Sequence, residues 1–385
     1  MSNSFPLEYA QYEILHKIGC SSYADVVVAR CIPRNKLVAI KQIDLEICPL
    51  NLSQLANEVA FWASMSHANA ILYHGSFTVG SQLWFLTEYV DCGSLKDILY
   101  EFFPNGIKNE NIIATILQKV LLFLDYFHSH QQIHRDLQTK NILVSMTGEV
   151  KIGGFWNAST LIQQGQRKRA RKTVLDLSCY AAPEAIVDTE KGYKQEADIW
   201  SLGIIAVEIA TGMLPYKDMN PVDQITAVTQ QPPPTLPDSF SLSFRDFVQE
   251  CLVTNPEKRA SAHHLLKHKF MHQAKNEAFL ENTFTAQLPP LIQRMEMKEK
   301  NKEDAVMKEA QNFRKEIEFD FDVDCPKKSK KKHHKKDSEN DVKTPPQPTE
   351  STTVTRKGRF ILSVQGGPRD ASITTPPPIP GNNMK

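Results

Sequence analysis

The sequence predicts an α+β fold followed by a tail of different composition, and three observations carry that reading. Residues 12–31 read as two strands joined by a turn, and Leu83–Val90 (LWFLTEYV) is a continuous apolar strand. Residues 109–130 place Ile113, Ile116, Leu117, Val120, Leu121, Leu124 and Phe127 at the period of a helix that buries one face. Beyond about residue 285, lysine, glutamate, proline and threonine displace the apolar residues that a core requires.

Composition fits this division. A chain of 385 residues with 41% hydrophobic content can bury a sizeable core over most of its length. The net charge of +1 exerts no general pull toward nucleic acid or membrane. Seven cysteines without C-x-x-C spacing fit neither a disulfide framework nor a zinc site. The expected compartment is therefore the reducing cytosol, with the nucleus as a second location. The start, MSNSFPLEYAQYE, lacks the basic and apolar regions of a signal peptide. No apolar stretch reaches the roughly 20 residues that a bilayer requires.

Taken in order, the first hairpin carries Gly19 and Val26, with Ser21 and Ala24 between them. Val38-Ala39-Ile40-Lys41 follows as a third strand. Residues 52–66 space Leu52, Leu55, Val59 and Trp62 as one helix face, with Glu58 among them. After the apolar strand come Asp91-Cys92-Gly93-Ser94, and then the long helix. That helix delivers the chain to Ile133–Trp156, the stretch on which the rest is organised. A loop there holds His134, Arg135, Asp136 and Asn141. Two short strands, Ile142–Val144 and Val150–Ile152, lead to Gly153-Gly154-Phe155-Trp156.

The pattern H-R-D-L-x-x-x-N at His134–Asn141 resembles the catalytic loop of protein kinases. V-A-I-K at Val38–Lys41, A-P-E at Ala182–Glu184, D-x-W-S-x-G at Asp198–Gly203 and N-P-x-x-R at Asn255–Arg259 occur in the family's order. Within the superfamily the chain is most similar to the germinal-centre branch of oxidative-stress-responsive and proline-alanine-rich kinases, through VAIKQIDLE, QIHRDLQTKNIL and RKTVLDLSCYAAPE. The resemblance covers residues 12–285 and implies a bilobal fold. A small β-rich lobe with one helix spans about 12–90, a larger helical lobe spans 91–285, and 286–385 form a mostly disordered tail. It also implies roles for individual residues. Asp136 takes the substrate hydroxyl proton, and Asn141 binds magnesium. Gly19, Val26 and Ala39 enclose ATP, Lys41 grips its phosphates and pairs with Glu58, and the backbone of Glu88 to Val90 faces the adenine. Asp198 braces the catalytic loop, and Arg259 pairs with Glu184. Thr173 stands where the branch carries its activating threonine, and Arg135 would neutralise a phosphate there.

Four departures set the chain apart from active members. Ser21 and Ala24 replace glycines of the phosphate loop, Gln138 replaces the catalytic-loop lysine, and Leu177 removes an orienting hydroxyl from the activation segment. The fourth is the severe one. Where an active kinase carries D-F-G, this chain reads Gly154-Phe155-Trp156, so the carboxylate that should hold metal against the phosphates is absent. A degenerate kinase is expected, similar in kind to the STRAD pseudokinases and acting as a scaffold or allosteric regulator of a partner kinase. ATP remains an implied ligand, while magnesium is expected to bind weakly at Asn141 or not at all. The alternatives are an active serine/threonine kinase with atypical metal use and an interaction module that binds no nucleotide.

The tail adds two candidate docking peptides. Phe319-Asp320-Phe321 is similar to the aromatic-acidic-aromatic motif with which these relatives dock a helical-repeat scaffold. Arg359-Phe360-Ile361-Leu362 resembles the R-F-x-V peptide recognised by the same kinases. The block KKSKKKHHKK at 327–336 reads equally as a nuclear-import signal and as solvated linker charge.

Overall fold

The computed structural model describes residues 4–155, 159–160, 162–163, 166–167, 179–187, 192–318, 354–357 and 360–363. It is a bilobal α+β fold. Five antiparallel strands build the small lobe: β1 (Tyr12–Cys20), β2 (Ala24–Cys31), β3 (Lys36–Asp44), β4 (Tyr73–Val79) and β5 (Gln82–Glu88), in the order β1-β2-β3-β5-β4. The register sets Val26 opposite Lys41 and Ala39 opposite Thr87, so the residues expected around a nucleotide share one stretch of sheet. Helix α1 (Leu52–Ser64) packs beneath the sheet. Its start is fixed by a reciprocal cap in which Asn51 Oδ1 accepts the Gln54 N–H and Gln54 Oε1 accepts the Asn51 N–H, each at 2.9 Å.

The sheet is covered on both faces. Its outer face buries Tyr12, Val27, Val38, Ile40, Trp84 and Leu86 under an N-terminal strap. In that strap Phe5 stacks on His74 at 4.2 Å between centroids, and Tyr9 meets Trp84 edge-on at 5.3 Å. The Tyr12 hydroxyl donates to Pro6 O at 2.6 Å. The sequence reading began the fold at residue 12 and gave this strap no role.

The chain leaves β5 through the hinge and enters the short strand β6 (Gly93–Ser94), α2 (Leu95–Phe102) and α3 (Glu110–Ser129). By length and apolarity α3 passes for a membrane span, but it is mostly buried in the large lobe. Strands β7 (Gln132–Ile133), β8 (Ile142–Val144) and β9 (Val150–Ile152) frame the catalytic loop. Strand β10 (Ser159–Thr160), which pairs with β7, and the mutually paired β11 (Ile162–Gln163) and β12 (Gln166–Arg167) follow. Then come α4 (Pro183–Val187), α5 (Glu196–Thr211), α6 (Pro221–Gln230), α7 (Leu242–Cys251), α8 (Ala262–Leu265) and α9 (Glu277–Leu280). Helix α5 is buried almost all round and runs through the centre of the lobe.

The compact unit extends to Glu318, further than the sequence reading placed it, because helix α10 (Leu291–Glu318) returns to the hinge. Separately, β13 (Val354–Lys357) and β14 (Phe360–Ser363) form an antiparallel hairpin in a second unit. Phe319, Phe321 and Arg359 lie outside the described residues, and of Phe360 only the backbone is described.

Candidate active site

Asp198, near the start of α5, organises the catalytic loop. Its Oδ2 accepts the His134 N–H at 2.9 Å and its Oδ1 accepts the Arg135 N–H at 3.0 Å. His128 Nε2 donates to the same carboxylate at 2.9 Å. Burial alone would push this carboxyl up, but the His128 hydrogen bond and the nearby imidazoles hold it below the usual range. The loop pays for its shape at Arg135, a non-glycine residue with φ of 68°. The Asp198 bonds to both neighbouring amides hold that conformation.

His134 is fully buried, and burial keeps its imidazole neutral. Its Nε2 donates to Gly153 O at 3.0 Å, while Nδ1 accepts the Asp136 N–H at 3.3 Å. The histidine thus links the loop to the Gly153-Gly154-Phe155 strand end. Phe155 is wholly buried and completes an aromatic cluster with Trp62 (4.7 Å), His134 (5.3 Å), Phe123 (5.5 Å) and Phe127 (5.9 Å). Such contacts contribute about 0.5–1.5 kcal/mol each beyond area burial. They hold α1 of the small lobe against the large lobe.

The polar side of the site is arranged differently. Asn141 Nδ2 donates to Asp136 O at 2.7 Å and to Asp136 Oδ2 at 3.1 Å. Gln138 Nε2 donates to Asp136 Oδ1, and Lys140 Nζ lies 4.0 Å from Oδ2. The expected proton acceptor is therefore surrounded by donors from its own loop. Gly154 has φ of 82°, and a Cβ there would fall 2.3 Å from Asn141 Cγ. The Asn141 amide occupies the space where a side chain at 154 would begin. Magnesium in such sites is held through one or two carboxylates plus substrate phosphates. Here residue 154 supplies no carboxylate and Asp136 is already bonded by Gln138 and Asn141, which leaves only the neutral Asn141 Oδ1, so the residues present do not fit that ion.

The residues expected around ATP are gathered on the sheet of the small lobe and at the hinge. Lys41 lies on β3 with its Nζ 5.7 Å from the centre of the Tyr23 ring. Val26 and Ala39 are half-buried on facing strands, and Thr87 is buried at the mouth of the hinge. The β1–β2 turn closes as a tight hairpin, with the Ser21 N–H donating to Ala24 O at 2.7 Å. Gly19 sits in this ladder opposite Val26. Glu88 is held on two sides: its N–H donates to Leu72 O at 2.9 Å and its Oε1 accepts the Leu72 N–H at 2.7 Å, while Lys151 Nζ of β9 lies 3.8 Å from the same oxygen. Val90 O accepts the Gly93 N–H at 3.2 Å. Glu58 lies on α1, but its side chain is outside the described residues, as is Thr173 altogether. Arg135 Nε donates to the Tyr193 hydroxyl at 3.1 Å.

Arg259 and Glu184 form a fork-on-fork pair, with Nη1–Oε1 at 2.6 Å and Nη2–Oε2 at 3.0 Å. Sequence reasoning missed a second tie. Thr139 Oγ1 lies 3.0 Å from the Tyr180 hydroxyl, which donates to Glu208 Oε2 at 2.6 Å. This buried chain links the catalytic loop, the exit of the activation segment and α5. Burial pushes the carboxyl of Glu208 up. No local spacing marks it, since its members come from three distant segments. Another cluster, Asp246, Glu250 and His268, has the donor types of a metal site. However, His268 Nδ1 accepts the Phe270 N–H at 3.2 Å, which leaves the hydrogen on Nε2 facing the carboxylates. Lys269 already pairs with Asp246 at 2.8 Å.

Comparison with known proteins agrees with this geometry. Residues 12–271 match the protein kinase domain family. The chain is 36% identical over 299 residues to serine/threonine-protein kinase fray2 of Dictyostelium discoideum, covering 76% of this chain and 29% of that protein. It is 35% identical over 307 residues to germinal center kinase 3 of Caenorhabditis elegans, covering 74% and 51%. With serine/threonine-protein kinase sid1 of Schizosaccharomyces pombe it shares 40% over 271 residues, covering 70% and 56%. The match thus spans between about a third and a little over half of these relatives' lengths. The chain belongs to the protein kinase domain family, in its germinal-centre-like serine/threonine branch.

Proposed function

We propose that this protein is a pseudokinase that binds nucleotide without magnesium and acts as a scaffold or allosteric regulator of a partner kinase. The observation that carries the reading is the pair Gly154 and Asn141: one lacks a carboxylate, and the amide of the other occupies the space where a side chain at 154 would begin. Kinase domains in general use ATP with magnesium. Their transfer step depends on positioning and on neutralising charge at the phosphates. Losing one charge-stabilising contact of this kind costs about 3 kcal/mol, a factor of some hundred in rate. Lys41 and the half-buried Val26 and Ala39 still offer a nucleotide a cationic contact and an apolar roof. Removing a carboxylate from the cleft also reduces its repulsion of an unchelated triphosphate.

Partners are proposed on the tail. Phe319 and Phe321, two rings flanking a carboxylate, suit a helical-repeat scaffold with adjacent apolar pockets and a basic rim. Arg359 and Phe360 suit the peptide groove of a related kinase, and phosphorylation of Thr173 by that partner would engage Arg135. The cytosol, with access to the nucleus, is the proposed location. A second reading, an active serine/threonine kinase with atypical metal use, is favoured by Asp136, Lys41 and the closed aromatic core around Phe155.

Thermal unfolding with ATP separates these readings. A stabilisation by ATP that is unchanged by EDTA is the expected result. A shift that appears only with magnesium supports the active enzyme, and no shift with either supports a module that binds no nucleotide.

A further inference from the structure

The two lobes are joined covalently only at the hinge and packed together through the Phe155 cluster, so a further tie would change how freely the small lobe moves. Helix α10 makes one. Its first residue, Leu291, donates its N–H to Asp91 O at 2.8 Å, directly on the hinge. One turn later Arg294, 3% exposed, inserts between the hinge and α2. Its Nη1 donates to Glu101 Oε2 at 2.9 Å and its Nη2 to Cys92 O, and the guanidinium lies 5.6 Å from the centre of the Phe102 ring. Lys298, a further turn on, reaches the same Glu101. The two cations hold the Glu101 carboxyl below its ordinary range against the opposing effect of burial.

Gly93 permits this fit. Its φ of 84° favours glycine, and a Cβ there would sit 3.1 Å from Arg294 Nη2 and 3.2 Å from Leu291 Cδ1. Helix α10 then passes the small lobe. His16, on β1, lies between two of its carboxylates, with Nε2 3.8 Å from Glu296 and Nδ1 3.6 Å from Glu299. From Glu296 to Glu309 the helix is exposed throughout.

The geometry points to α10 as a strut between the lobes, seated on the hinge by Arg294 and clasping β1 through His16, that restrains the small lobe without any bound ligand. The two contacts differ in kind. The contacts of His16 with the exposed carboxylates of Glu296 and Glu299, at 3.6–3.8 Å, are weak individually, whereas Arg294 is desolvated and bonded on two sides. Arg294 therefore fixes the helix, and His16 transmits that position to the sheet.

Hydrogen–deuterium exchange on the full chain tests this. In the wild type, amides 295–299 should exchange at least tenfold more slowly than amides 303–309 of the same helix. Arg294→Met should erase that difference and speed exchange in β1 and the hinge, leaving α7 and α8 unchanged. His16→Ala should speed β1 while amides 292–295 keep their protection. Equal rates along α10 in the wild type would overturn the strut. So would an Arg294→Met chain with a freed helix and an unchanged β1. If Arg294→Met fails to fold, Glu296→Gln/Glu299→Gln is expected to reproduce the His16→Ala pattern, and no change in β1 rejects the proposal.

Discussion

The Asn141 side chain stands where a side chain on residue 154 would start, with Cγ 2.3 Å from the position of a Cβ on Gly154. The two residues that share a magnesium ion in an active kinase have here become a single packing unit. Aspartate is among the residues that tolerate the left-handed backbone found at Gly154. What opposes Gly154→Asp is therefore the Asn141 amide, which must leave Asp136, and a second carboxylate facing Asp136. Without metal the substitution should destabilise the protein by about 1–3 kcal/mol, the cost of disrupting half-buried hydrogen bonds that include a carboxylate acceptor. Magnesium should recover that loss in the variant and leave the wild type unmoved. Phosphotransfer should stay at background, since Gln138 and Ser21 are unchanged. Equal melting temperatures for the variant in EDTA and in magnesium would show that residue 154 is not what excludes the metal.

Arg259 has a fully buried side chain, and its guanidinium is bonded to Glu184, to Val253 O and to Glu196 O. Removing it leaves the Glu184 carboxylate, itself 13% exposed, without its counter-charge. Cutting one partner from a buried pair costs about 3–5 kcal/mol. Arg259→Met should lower stability by that amount in urea unfolding. Replacing both residues together, as Glu184→Gln/Arg259→Met, should cost less than Arg259→Met alone. If the double variant is the less stable of the two, the stranded charge is not the cause.

The motifs made the large lobe legible. Asp198, Glu184 and Arg259 could be assigned partners because each sits in a pattern whose spacing is set by the same backbone contacts seen in the fold. Lys41, Val26 and Ala39 likewise fall in one register of the sheet. The contacts made by residues outside motifs were not legible. Arg294 is one basic residue in a charged helix, and nothing in its neighbours tells a buried arginine from a solvated one. The strap that brings Phe5 onto the sheet has no periodicity, so the partial burial of Phe5 depends on an outer sheet face that only the folded lobe presents. The Thr139–Tyr180–Glu208 chain joins side chains too far apart in sequence for any local pattern to connect them.

His74 carries the last prediction, which concerns pH. Its ring is stacked on Phe5, and the Arg34 guanidinium also lies over the Phe5 ring, at 4.4 Å. Burial, followed by the charges of Arg34 and Lys36, pushes its pKa down from 6.5 to about 4. Between those values the unfolded chain takes up a proton that the folded chain refuses, so stability falls as pH drops from 6.5 toward 4. His67 and His134, also lowered by burial, act in the same direction. Asp198, held below 3.8, keeps its contribution until the pH falls further. His74→Gln should therefore flatten the acid limb of the melting curve between pH 6.5 and 4 without abolishing it. Proton uptake on unfolding near pH 5, measured by calorimetry in buffers of different ionisation enthalpy, should drop by up to one proton. An unchanged uptake would mean that the imidazole is already protonated in the folded lobe, and that the strap does not shield it.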